Sequence, residues 1–223
     1  HFFHVTPQAL SGPFFSHLPR WELTAKTKQF FSESTQAELA EADAMSSLLR
    51  DLPSSYATWS LFTKAEFLES RYLLPGYILS SQGDRVAMAH AVEGRYPFLD
   101  HRVATFAARL PASLKMKVLD QKYLLKQAVK GLIPEAIRTR TKQPYRAPDG
   151  ISFFGGHDEF VGDLLSSQRI KQDGVFNPRA TDALVQKFRS GRETSVKDNM
   201  ALTGILSTTV LLDRFMHGRH TLS

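Results

Sequence analysis

Apolar residues recur along this chain three and four positions apart, in stretches set off by Ser, Asp, Pro and Gly. Leu39, Ala42, Met45, Leu48 and Leu49 keep one such stripe, which predicts a helix over 32–52, capped by Ser32 or Ser34 and ended before Pro53. Trp59, Phe62, Phe67 and Leu68 predict the inward face of a second helix over 54–74, broken at Pro75-Gly76. A mostly helical stretch over 77–92 is expected to be interrupted by the SSQGD run at 80–84. Pro97 starts a new turn, and Asp100 suits the cap of a helix over 101–109 that Pro111 ends. A helix over 120–131 is closed by Gly131, and a short helical turn over 134–139 follows Pro134. Further helices are predicted over 157–170, 178–190 and 197–217, the last striped by Leu202, Ile205, Leu206 and Val210. Few stretches alternate as strands do, and no repeat or low-complexity tract appears, so the chain reads as mainly α.

Two segments depart from this pattern. The first, 1–31, is crowded with aromatics: Phe2, Phe3, Phe14, Phe15, Trp21, Phe30 and Phe31 need a surface to bury against. That surface is the rest of the domain or a partner. The second, RTRTKQPYRAPDGISFFGG at 138–156, is a loop rich in Pro, Gly and positive charge. It reads either as a solvated basic loop or as a flexible clamp. In the second case Lys142, Arg138, Arg140 and Arg146 close onto phosphates, with Gly150, Gly155 and Gly156 allowing the movement. FFGGHD has the look of a phosphate loop but lacks its Ser and a preceding strand, so it is not read as one.

The 223 residues are enough for one sizeable domain or two small ones, and 42% hydrophobic with 22% charged residues is ordinary for a globular protein. The chain has no cysteine, which excludes disulfides, thiolate catalysis within it and Cys-rich zinc sites. No apolar run of about 18 residues is present, so no membrane span is expected. The first residues lack a signal-peptide pattern and an initiating Met, so a cytoplasmic chain, fragmentary or processed, is expected. The net charge of +6 reads as a solvated surface, or as fitting an anionic small molecule or an acidic partner. The basic residues are dispersed and no nucleic-acid motif is present, so nucleic acid is not an expected partner.

The densest chemistry lies in MAHAVEGRYPFLDHR, 88–102, where His90, Glu93, Arg95, Asp100, His101 and Arg102 interleave with core-like apolar residues. A carboxylate in such company is costly unless paired. Glu93 therefore reads either as half of a partly buried ion pair with Arg95 or a Lys, or as a carboxylate tuned by burial for acid–base work. Asp100 reads as a helix cap, and His90 as a structural histidine, since no second ligand stands four residues on.

LLPGYILSSQGDRVAMAHAVEGRYPFLDHRV is followed in order by LKMKVLDQKYLLKQAVKGLIPEAIRTRTKQPYRAPDGISFF, and later by VKDNMALTGILSTTVLLDRF. Upstream lies GPFFSHLPRWELTAKTKQFFS. Together these segments resemble the C-terminal synthetase domain of the glutamine-dependent asparagine synthetase family, particularly members from specialised-metabolite clusters. The likeness spans nearly the whole chain, and the VEGRYPFLDHR block is its specific part.

The resemblance implies that the whole chain is the helical C-terminal part of an α/β ATP-pyrophosphatase-type domain, adenine nucleotide α-hydrolase-like. It divides the chain into an aromatic-rich docking segment and helix, 1–53, and a helical part, 54–223, with the 138–156 loop at its active site. Such enzymes use ATP and Mg²⁺ to adenylate a carboxylate, aspartate in the type reaction, and then pass it ammonia released from glutamine. By resemblance, Glu93 positions or deprotonates the attacking amine, and Lys142 stabilises pyrophosphate. Asp84, Arg85 and Arg146 lie near the substrate or nucleotide, Lys122 is structural or faces a phosphate, Arg95 pairs with a carboxylate or touches substrate, and Glu69 or Glu66 holds Mg²⁺. The family's SGGxDS nucleotide loop and its glutaminase are absent from this sequence, so a partner half, covalent or separate, is expected. Two other readings remain: a lactam- or lasso-forming relative that uses an internal amine, and a non-catalytic helical subunit. Retention of both Glu93 and Lys142 argues against the latter.

Overall fold

The computed structural model describes residues 11–141, 150–154 and 158–217. The order of helices begins with α1 (Leu18–Ala25), α2 (Glu33–Leu39) and α3 (Ala44–Arg50). It continues with α4 (Leu61–Leu68), a π-helix (Glu69–Asp84), α5 (Arg85–Ala89), α6 (His101–Arg109) and α7 (Ala112–Lys115). A two-residue hairpin, β1 (Met116–Lys117) with β2 (Asp120–Gln121), precedes α8 (Tyr123–Ala128) and α9 (Glu135–Arg138). The chain closes with α10 (Asp158–Leu164), α11 (Ser167–Asp173), α12 (Pro178–Arg189) and α13 (Val196–Phe215). The protein is thus mainly helical, and it divides into two compact units: residues 1–52 with 145–223, and residues 53–144.

In the first unit the amphipathic stripes of α10 to α13 meet in one core, with Ile170, Leu202 and Ile205 almost fully buried. The aromatic N-terminal segment enters this core. Phe30 is buried in it, and the Phe31 ring lies 5.6 Å from that of Phe176, tilted by 31°. The backbone fastens the contact: Ser32 N–H donates to Val175 O at 2.9 Å, and Asn177 N–H donates to Phe30 O at 2.8 Å. Phe14 is also buried, beside Trp21. Phe14, Phe30 and Phe31 are thus engaged inside their own unit, in line with the reading that they pack on the rest of the domain. Phe2 and Phe3 lie outside the described residues.

The helix expected over 32–52 is two helices. Ser32 Oγ caps α2 by accepting from Thr35 N–H at 3.2 Å, and Asp43 Oδ1 caps α3 by accepting from Ser46 N–H at 3.0 Å. A second strong cap inside the stripe restarts the helix. The loop expected over 138–156 is anchored at its far end. Gly150 is buried, its N–H donates to Asn199 Oδ1 at 2.8 Å, and Phe154 stacks on Phe188. A short 3-10 turn over Gly150–Phe154 therefore belongs to the core.

The second unit gathers around Tyr56, Trp59, Phe67 and Tyr72, whose rings lie 5.5–6.4 Å apart in sequence along the cluster. The helix expected over 54–74 begins only after Ser60, whose Oγ accepts from Thr63 N–H. It does not break at Pro75-Gly76 or at 80–84. It widens into the π-helix, runs through Pro75, and continues directly into α5. Proline clashes with the carbonyl four residues back, and a wider turn moves that carbonyl away. Side chains follow the wider period: Ser81 Oγ donates to Gly76 O, and Gln82 Nε2 to Tyr77 Oη, each across five residues. The helix expected over 120–131 is shorter, because residues 116–121 form the hairpin instead.

Candidate active site

The turn that carries Glu93 is built by the end of α5. His90 N–H and Val92 N–H both donate to Ala87 O, at 3.0 and 2.9 Å, and Ala91 N–H donates to Met88 O at 3.1 Å. This is a Schellman cap, whose left-handed residue is usually glycine. Here it is Ala91, with φ of 55°. The cap reverses the chain within three residues and delivers Glu93 just beyond α5.

Glu93 is held by Arg95. Arg95 Nε lies 2.8 Å from Glu93 Oε1, and Arg95 Nη2 donates to Oε2 at 3.1 Å. The two contacts fix the plane of the carboxylate as a fork meets a fork. The Glu93 side chain is 69% exposed and that of Arg95 82%. The apolar residues of the segment do not enclose it either, since Met88 is 65% and Phe98 69% exposed. The expected core around 88–102 is therefore absent among the described residues, and of the two readings the ion pair holds in an exposed form. Asp100 does not brace Glu93. It caps α6, accepting from Arg102 N–H at 2.8 Å, and its other oxygen pairs with Arg102 Nη2 at 2.8 Å. The Arg102 side-chain bond holds the Asp100 carboxyl below its usual range.

Asp84 ends the π-helix and Arg85 begins α5, both exposed and neither in an ion pair among the described residues. Lys122 caps α8 in a left-handed conformation, with φ of 58°. It lines a groove of 590 Å³ together with Lys126, Arg138 and Arg140. Lys126 pairs with Asp120, and Arg138 pairs with Glu135. Lys122 and Arg140 make no ion pair among the described residues, which leaves the groove with unbalanced positive charge. Lys142 and Arg146 lie outside the described residues.

The carboxylates proposed for metal are placed otherwise. Both oxygens of Glu66 accept from Lys115 Nζ, at 3.0 and 2.9 Å, and the same ammonium sits 5.7 Å from the Phe62 ring centroid. Glu69 is exposed at the start of the π-helix. Among the described residues no three His, Asp or Glu side chains gather to hold an ion. Glu66 and Glu69 thus do not fit a magnesium site by themselves.

The model of the asparagine synthase family matches residues 7–213, nearly the whole chain. The chain belongs to the asparagine synthase family. Among its curated relatives is an amidase of Penicillium rubens, 30% identical over 58% of this chain and 20% of its own length. A glutamine-hydrolysing asparagine synthetase of Bacillus subtilis is 32% identical over 54% of this chain and 20% of its own length. The glutamine-hydrolysing asparagine synthetase of Gallus gallus is 34% identical over 45% of this chain and 19% of its own length. The chain spans about a fifth of the length of these relatives. No solved structure matches. Among the described residues no helix is long and apolar enough to cross a membrane.

The structure brings Glu93 and Arg95 together and sets Lys122 in a separate groove with Arg140. Ala91 and Tyr96, which shape the Glu93 turn, escape a reading by composition. The signal available for Tyr96 was a glycine two residues before a large ring.

Proposed function

We propose that this chain is the C-terminal part of an ATP-dependent amidotransferase that adenylates a carboxylate, aspartate in the simplest case, and converts it to the amide. The helices described above are the helical part of an ATP-pyrophosphatase-type domain. The SGGxDS nucleotide loop and the glutaminase come from the rest of the polypeptide or from a partner subunit.

The observation that carries this reading is the Glu93 turn. A carboxylate oriented by a bidentate arginine and reachable from solvent is suited to meet a substrate amine. In the first step a substrate carboxylate oxygen attacks the α-phosphorus of ATP, and pyrophosphate leaves. Two anions must approach, so cations have to balance them. Lys142 answers the charge on the departing pyrophosphate, with Arg146 beside it in sequence. The groove of Lys122 and Arg140 adds positive potential from the same unit. In the second step ammonia, or an amine, attacks the acyl carbon. Glu93 accepts the proton that the nitrogen loses, and AMP leaves. Arg95 keeps Glu93 aimed. Asp84 and Arg85 stand at the helix end that precedes the turn.

The test uses the complete synthetase that contains this chain. Glu93→Gln and Lys142→Ala should abolish amide synthesis while glutaminase activity stays measurable. Wild-type synthesis in either variant refutes the assignment. An active enzyme that needs no glutamine or ammonia assigns the nucleophile to an internal amine.

A further inference from the structure

Gly94 and Gly83 face one aromatic ring. A Cβ built on Gly94 would stand 2.3 Å from Tyr96 Oη, 2.6 Å from its Cζ and 2.8 Å from its Cε2. A Cβ on Gly83 would stand 3.5 Å from the same Oη and 3.2 Å from Ile78 O. Tyr96 therefore folds back over the residue that follows Glu93 and extends to the end of the π-helix, one residue before Asp84. Neither glycine is needed for a positive φ, since neither is among the positive-φ positions. Gly94 supplies room for the ring, and at Gly83 the Tyr96 hydroxyl is in ordinary contact.

We propose that Tyr96 is the positioning residue of the Glu93 turn, latching it to the helix end that carries Asp84 and Arg85. The inference rests on the role given to Glu93 above. The Schellman cap fixes where the chain leaves α5, but it constrains nothing beyond Val92. Arg95 fixes the carboxylate plane, but Arg95 is itself exposed and attached to the same turn. The Tyr96 hydroxyl, reaching Gly83, links the turn to a different element and so sets its height above α5. Because the ring is half-exposed, a methyl group at Gly94 evicts it without unfolding the unit, and the backbone itself remains free to keep its angles. Gly94→Ala and Tyr96→Ala are thus two routes to one unlatched state, and Tyr96→Phe keeps the ring against Gly94 but removes the hydroxyl that reaches Gly83.

The test has two readouts. In the 223-residue chain, proton NMR follows the α protons of Gly94, which lie against the ring, and of Gly83, which lie beside its hydroxyl. The Gly94 shifts should persist in Tyr96→Phe and disappear in Tyr96→Ala, and the Gly83 signals should move in Tyr96→Ala, Tyr96→Phe and Gly94→Ala. In the complete synthetase, Tyr96→Ala and Gly94→Ala should lower kcat for amide formation on the order of 100-fold, as misplacement of a reacting group by about 1 Å does, with the KM for ATP unchanged. Tyr96→Phe, which keeps the ring on Gly94 but loses the hydroxyl contact, should lower kcat less than Tyr96→Ala. Unmoved glycine signals in Tyr96→Ala overturn the latch. So does a rise in the KM for ATP at constant kcat, or a wild-type kcat in the two unlatched variants. A wild-type synthetase that forms no amide refutes the reading of Glu93 instead, and the NMR shifts then judge the latch alone.

Discussion

Asp198→Asn should weaken the first unit at neutral pH and matter less and less in acid. Asp198 is the third residue of α13 and closes a capping box: Ser195 N–H donates to Asp198 Oδ2 at 2.8 Å, and Asp198 N–H donates to Ser195 Oγ at 3.2 Å. Lys187 Nζ of α12 donates to the same carboxylate at 2.7 Å. Burial alone would raise the carboxyl, but the Lys187 and Ser195 hydrogen bonds outweigh it and take it from 3.8 to about 2. At about 1.4 kcal/mol for each tenfold change in proton affinity, that difference is worth about 2 kcal/mol. The Asp198 side chain is only 10% exposed, but Lys187 is 36% exposed, so solvent screens part of the attraction and about 1–2 kcal/mol is expected. A carboxyl lowered in the folded state stabilises above its unfolded value, and that stability drains away as pH falls from about 4 towards 2. By the same linkage about half remains at pH 3. Asparagine keeps the backbone cap and removes the titration. Thermal unfolding followed by circular dichroism should show the variant melting about 2–8 °C lower at pH 7, with the gap roughly halved at pH 3. An equal gap at both pH values, or none at pH 7, refutes the reasoning.

Three further substitutions probe packing and strain. Gly150→Ala should cost about 1–3 kcal/mol in urea unfolding, because its Cβ would stand 2.3 Å from Phe188 Cε1 and 2.9 Å from Leu202 Cδ2 in a filled core. Arg169→Met should cost about 3–5 kcal/mol in the same assay, since Arg169 is buried between Asp213, at 2.6 Å, and Asp173, at 3.2 Å, and leaves both carboxylates without it. Ala91→Gly should stabilise the second unit by about 1 kcal/mol, seen as slower amide exchange at Val92, because φ of 55° strains a residue with a Cβ.

The hydrophobic spacing was a sound guide where a stripe faces one core. The stripe of Leu202, Ile205 and Leu206 predicts 197–217, and α13 covers Val196–Phe215 with those residues buried. Asp100 as a cap was legible because a short carboxylate before an apolar stripe has one local use. Spacing failed where backbone chemistry overrode it. Asp43 divides one stripe into two helices, and Pro75 lies within a widened helix that no period of 3.6 describes. Burial was the least legible quantity. VEGRYPFLD has the composition of a core strand or turn, yet its side chains are exposed, because composition does not say which surface an apolar residue meets. The Arg169, Asp173, Asp213 and His217 network joins residues 44 positions apart, and only the Arg169–Asp173 spacing on α11 was visible beforehand. The Glu93–Arg95 pair was written in the sequence as adjacency. The latch by Tyr96 was not, because it depends on a fold-back that only coordinates show.

The most direct test of the account is carboxylate-dependent pyrophosphate release by the native assembly that contains this chain, with every polypeptide in it identified by intact mass and peptide mapping. The account predicts an SGGxDS-bearing sequence, on the same polypeptide or a companion one. It also predicts pyrophosphate release that requires both ATP and a carboxylate and is lost in Glu93→Gln. A solitary 223-residue chain with no such companion, or an assembly whose pyrophosphate release survives Glu93→Gln unchanged, contradicts it.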